Sequence, residues 1–119
     1  MKRNHRNLQA WQQAMGLVTT IYVLTSTFPD QEKSGLASQM QHAAIAVPAN
    51  IAEAFARSGS DELLQFLGAA AGSLSQLDTL IELASRLGYL YNTEELNVKV
   101  DEVSGLIMDL TASIRRHSI

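Results

Sequence analysis

Apolar residues recur along the chain at the three-and-four spacing of an α-helix, in four separate stretches. The first runs through Leu8, Trp11, Met15, Val18, Tyr22 and Thr25, with Ala14, Leu17, Ile21 and Leu24 widening the same face. This predicts a helix over 7–28, stopped by Pro29, because a proline disfavours helical geometry in the residue before it. Asp30 to Ser34 reads as a short polar loop, with Ser34 placed to cap a second helix over 35–57. Arg57 to Ser60 reads as the next turn, where Ser60 caps a third helix over 60–88 and Asp61 and Glu62 suit its positive end. Its seam is Leu67, Ala70, Leu74, Leu77, Ile81 and Ala84, and Gly88 is suited to terminate it. Asn92 and Thr93 are alternative caps for a fourth helix over 93–117, with the seam Leu96, Val100, Val103, Ile107, Leu110 and Ile114. Four such helices joined by short loops predict an all-α fold, an antiparallel up-down-up-down four-helix bundle filling a single domain, 1–119.

The second helix departs from the usual amphipathic pattern. Between Leu36 and Ala56 it carries one formally charged residue, Glu53. At about 100° per residue, Met40, Ala44, Val47, Ile51 and Phe55 form one apolar stripe for the core. The far side, Ser38, Ile45, Ala49, Ala52 and Ala56, is also apolar or small. A helix without a charged face is buried all round, and a chain of 119 residues has little material to do it. A second copy of the chain is the economical supplier. The expected subunit contact is therefore Ile45, Pro48, Ala49, Asn50, Ala52, Glu53 and Ala56. Pro48 removes a backbone donor inside this helix, at a cost of about 3 kcal/mol in an ordinary helix. Two readings stand for it: a tolerated kink, or a bend that shapes the subunit contact with Asn50 bonding across it. Glu53 and Arg57 are spaced for an intrahelical ion pair.

Composition narrows the chemistry. Apolar residues make up 46% but aromatics only 6%, which favours helices over sandwiches. A formal charge of −3 and a pI near 5.5 disfavour a generic polyanion binder. The absence of cysteine removes disulfides and thiolate metal sites and fits a reducing, cytoplasmic setting. MKRNHR is basic like a signal n-region, but the residues after it mix Gln and Thr with apolar side chains, so the start is read as mature protein. No run reaches the ~18 apolar residues of a membrane span, and no membrane partner is expected. A di-iron bundle site needs Glu-x-x-His, and none of His5, His42 or His117 has a Glu three positions earlier. Ser73 and Ser75 have no nearby base, and no phosphate loop or nucleophile elbow occurs. No catalytic residue, metal or cofactor is expected, and the protein is read as not an enzyme. Gly68 and Gly72, spaced GxxxG, are read as permitting a close helix approach.

In an up-down-up-down bundle one end would gather Lys2, Arg3, Arg6, Arg57, Arg115 and Arg116, six of the nine basic residues. One reading is complementation of helix dipoles plus a basic tail; the other is a docking face for nucleic acid or an acidic partner.

The segments LQAWQQAM, FPDQEKSGLASQM, AAIAVPANIAEAFAR and FLGAAAGSLSQLDTLIELASRLGYL, in that order, resemble the four-helix-bundle family of 23S rRNA intervening-sequence proteins over nearly the whole chain. VPANIAEA and GSLSQLDT carry the most specific part of the likeness. The resemblance implies small bundles assembled into homopentameric rings. It also implies relatives encoded in rRNA intervening sequences, and basic relatives that are nucleic-acid-binding accessory proteins of diversity-generating retroelements. Gln41 and His42 stand where the family often has a basic pair, and Ala54 and Ala56 where it has glycines. The leading expectation is a homo-oligomeric scaffold or adaptor whose protein partner is unknown. The alternative is an RNA-associated accessory protein.

Overall fold

The computed structural model describes residues 3–117, and every regular element among them is helical. A 3-10 turn, Asn4–Asn7, leads into α1 (Gln9–Thr25); a second, Asp30–Glu32, leads into α2 (Leu36–Ala54). α3 (Ser60–Arg86) and α4 (Glu94–His117) complete the four-helix fold, which extends 49 × 27 × 20 Å. One apolar core joins all four helices. Leu17 and Ile21 of α1, Met40, Val47 and Ile51 of α2, Leu67, Leu77 and Ile81 of α3, and Val103 and Ile107 of α4 are each at most 1% exposed. Each such side chain contributes about 1.5–3 kcal/mol by leaving water.

The seams of α3 and α4 fall where the periodicity puts them, with Leu110 and Ile114 half-buried at the far end of α4. The face of α1 does so in part: Thr25 and the widening residues Ala14, Leu17 and Ile21 are buried, and Leu8, Trp11, Val18 and Leu24 are half-buried against the core. Its buried face is Ala10, Ala14, Leu17, Ile21 and Thr25, while Met15 and Tyr22 are 42% and 45% exposed. The apolar arc of this helix is wider than one face can bury, and the alanines take the inner side because they allow a closer approach of neighbouring backbone.

The helix ends correct several expectations. α1 stops at Thr25 instead of Phe28, because hydroxyls of Thr25, Ser26 and Thr27 donate to its last carbonyls and the Lys33 ammonium donates to the carbonyls of Thr25 and Ser26. Ser34 does not cap α2. The residue before α2 is Gly35, and Glu32, brought round by the 3-10 turn, accepts the Leu36 N–H on Oε1 at 3.3 Å. A Cβ on Gly35 would stand 2.8 Å from that oxygen, so a larger residue there would push the carboxylate aside. α2 closes at Ala54 with 3-10-type bonds from Ala56 and Arg57, short of the expected 57. Ser60 is the first residue of α3 and not its cap, a position held by Gly59 with no side-chain bond.

Gly88 ends α3 as expected. Its φ of +82° suits glycine, and the N–H groups of Gly88 and Tyr89 donate to Ser85 and Ala84, the paired bonds of a Schellman motif. Asn92 is also left-handed, at φ +52°, and Thr93 sits immediately before α4 with its carbonyl accepting from Asn97.

Candidate functional site

α2 runs unbroken through Pro48 and buries Met40, Ala44, Val47 and Ile51 as the stripe predicts, with Phe55 half-buried. Pro48 is itself buried within the chain, packing inward and away from the outer face. The Asn50 amide donates to the Ala46 carbonyl of its own helix at 2.8 Å, one turn back, and does not bridge the carbonyl of Ala44 that the proline leaves without its usual donor. Ile45 (40% exposed), Ala49, Glu53 and Ala56 lie on the outside, and Ala52 is half-buried. The expected Glu53–Arg57 ion pair is present, and the Arg57 guanidinium also lies over the Phe66 ring at 4.7 Å.

On α1, Met15 and Tyr22 are likewise exposed apolar side chains. The α1 side of the contact is fixed by Thr25, fully buried, whose hydroxyl donates to Ile21 O at 2.8 Å and accepts from the Gln41 amide at 3.0 Å. Gln41 is thus committed to helix packing, and of the two residues at the family's basic pair only His42 is exposed. No charged residue occurs from Asn7 to Pro29, a signal in the sequence that α1, like α2, lacks a charged face.

Within the chain no neighbouring helix makes the close approach expected at Gly68 and Gly72. Both are exposed, and a Cβ built on either meets nothing within 4 Å. A glycine in a helix interior costs about 1 kcal/mol relative to alanine, and nothing within the chain offsets it here.

Of the basic residues, Arg3, Arg6, Arg57, Arg115 and Arg116 are exposed, and Lys2 lies outside the described residues. Arg6 stands 6.0 Å from the Trp11 ring centre, and His5 meets the same ring edge-on at 5.2 Å. Arg115 lines an apolar hollow with Leu64, Gly68 and Met108. Among the described residues, no group of three His, Asp or Glu side chains could hold a metal ion, and no helix is long and apolar enough to cross a membrane.

Two features carry no signal in the sequence. Glu32, besides capping α2, accepts the Tyr89 hydroxyl on Oε2 at 3.1 Å, with Phe28 packed on the Tyr89 ring at 5.4 Å. Burial, then the hydrogen bond to Glu32 and its negative charge, raise the Tyr89 pKa above the ordinary 10.0. The second is a groove between α1 and α4, floored by half-buried leucines.

No curated protein matches the chain. Residues 6–109 match the family model described as 23S rRNA-intervening sequence protein, which spans all but the two ends, and the chain belongs to that family.

Proposed function

We propose that this protein is a non-enzymatic, cytoplasmic adaptor that assembles with itself and presents a repeated surface to a protein partner. The observation that carries this reading is the outer side of α2, where Ile45, Ala49 and Ala56 are apolar or small and left in water by the single chain with Glu53 as the one acidic residue, together with the exposed Met15 and Tyr22 of α1. Gly68 and Gly72, open on the outside of α3, add a place where another helix can approach closely. Within each subunit the helices run antiparallel, up-down-up-down; the Thr25–Gln41 bond and the Lys99–Thr20 contact at 3.5 Å support that order. A head-to-tail contact between two different surfaces can close into a ring, and the family resemblance supports five subunits for it.

Light scattering coupled to gel filtration should give a mass several times 13.0 kDa at micromolar concentration. Ala49→Lys should release folded subunits, because it sets a charge into a desolvated contact. A wild-type monomer, or an oligomer indifferent to Ala49→Lys, would overturn the proposal.

A second reading is favoured by the family itself, whose description ties its members to 23S rRNA intervening sequences. Here the exposed arginines Arg3, Arg6, Arg57, Arg115 and Arg116 supply phosphate contacts and the protein acts as an RNA-associated accessory.

A further inference from the structure

Three hollows lie in a row along the seam between α1 and α4. At one end Thr20 and Leu24 of α1 face Leu96 and Lys99, around about 130 Å³. In the middle Gln9 and Gln13 face Glu102, Leu106 and Asp109, around about 290 Å³. At the other end Leu8 and Ala10 meet Leu106, Leu110 and Ser113, around about 180 Å³. The floor is apolar: Leu8, Leu24, Leu106 and Leu110 are packed against the core yet only partly buried.

The two rims differ in charge. The α1 rim carries only amides and hydroxyls, since the helix has no Asp, Glu, Lys or Arg. The α4 rim carries Glu95, Glu102 and Asp109, spaced by seven, so that two turns of helix bring each back to the same flank. All three are exposed, and none of their carboxylates has a hydrogen bond or ion pair among the described residues. Asp101 adds a fourth carboxylate beside the middle hollow. Among the described residues Lys99 is the one cation lining these hollows, and it reaches across to the Thr20 hydroxyl instead of pairing with Glu95 one turn before it.

We infer that this groove docks a basic amphipathic helix of a protein partner. This rests on the adaptor reading and names the chemistry of the partner. The charge complementarity selects the occupant: apolar residues on one side of the helix fill the leucine floor, and Lys or Arg near every seventh position meet Glu95, Glu102 and Asp109. α1 spans roughly 25 Å, which matches a partner helix of between about four and five turns. An acidic rim repels a nucleic acid or an anionic membrane, so neither competes for this surface.

The test uses a labelled synthetic peptide of about 16 residues with leucines at helical spacing and lysines every seventh position. Its controls are a scrambled peptide of the same composition and one with Glu in place of Lys. Anisotropy should show saturable binding of the first peptide alone. Affinity should fall at least about tenfold in the Glu95→Gln, Glu102→Gln, Asp109→Asn triple variant, whose exposed positions leave the fold intact by circular dichroism. Amide resonances of Gln13, Thr20 and Leu106 should shift on binding. Equal binding of the scrambled peptide, an unaffected triple variant, or the same resonances shifting when the protein alone is concentrated would overturn the inference, the last because a second copy would then occupy the groove. Repeating the titration in the Ala49→Lys background separates the two proposals. A wild type that is already monomeric and binds the peptide defeats assembly and leaves the groove standing, whereas an oligomer that does not bind defeats the groove alone.

Discussion

Glu32 is one residue with two tasks, and it shows what periodicity misses. Its carboxylate fills the capping role that a serine near the helix start would ordinarily take, and it also holds the α3–α4 connection through Tyr89. Residues 32 and 89 are too far apart in sequence for any local pattern to pair them, and the same is true of Thr25 and Gln41. Thr25 is legible as a buried position; its partner is not. The Tyr89 contact has a measurable consequence. Because its pKa in the folded chain is raised, the unfolded chain loses the phenolic proton first as pH climbs past the ordinary 10.0. Through that window the folded state holds more protons, so stability from this group is fully present below pH 10 and is lost as pH rises toward the raised value. Urea unfolding at about pH 8 and about pH 10.5 should therefore show a steeper loss of stability for the wild type than for Tyr89→Phe. Parallel losses would mean that the phenol feels no difference between the two states.

At the scale of elements, the four helices are readable because each has a sustained apolar seam and is bounded by Pro29, Gly59 or Gly88. Ends are less so, since Glu32, Lys33 and a run of hydroxyls settle them through tertiary or looped-back bonds instead of adjacent caps. Periodicity finds most of the inner face of α1 but also places Met15 and Tyr22 on it, because the helix is apolar on two flanks at once. Spacing reports the arc, while packing against Ala-rich α2 decides which half goes in. The scarcity of charge on the outside of α2, which carries Glu53 alone, is legible, but the inward setting of Pro48 is not, because proline gives no sign of which side of a helix will be buried. Gly68 and Gly72 pose an element-scale test. With open space at both Cβ positions, Gly68→Ala and Gly72→Ala together should stabilise the isolated subunit by about 1–2 kcal/mol in the Ala49→Lys background, measured by chemical denaturation. In the wild-type background the same pair should lower the oligomer mass, since the added methyls push a neighbouring helix away. Stabilisation with the mass unchanged would show that assembly does not use the glycines.

For the molecule as a whole, the distribution of charge matters more than its total of −3. α1 has no charged side chain and α2 only Glu53, while α4 alone carries Glu94, Glu95, Asp101, Glu102 and Asp109 before ending on Arg115 and Arg116. Repetition around a ring would multiply each of these features: a contact between subunits with little charge, an acidic outer groove, and the exposed arginines Arg3, Arg6, Arg115 and Arg116. The RNA reading depends on the last of these outweighing the second. If Arg3, Arg6, Arg115 and Arg116 contact phosphates on every subunit, several weak contacts add through avidity, and binding to structured RNA should fall steeply between about 50 and 200 mM salt. Changing Arg115 and Arg116 to Gln would then remove most of it. Two features oppose this. The carboxylates of α4 raise a repulsive field over much of the surface, and Gln41, at half of the family's basic pair, is held inward by Thr25. Arg57 is committed to Glu53 and the Phe66 ring, which takes one more cation out of play. The expected outcome of a filter-binding titration with a 23S rRNA fragment is therefore weak retention at about 50 mM salt and none at about 200 mM. Tight retention that collapses with salt and with the Arg115→Gln, Arg116→Gln pair would put the RNA-associated role ahead of the protein adaptor.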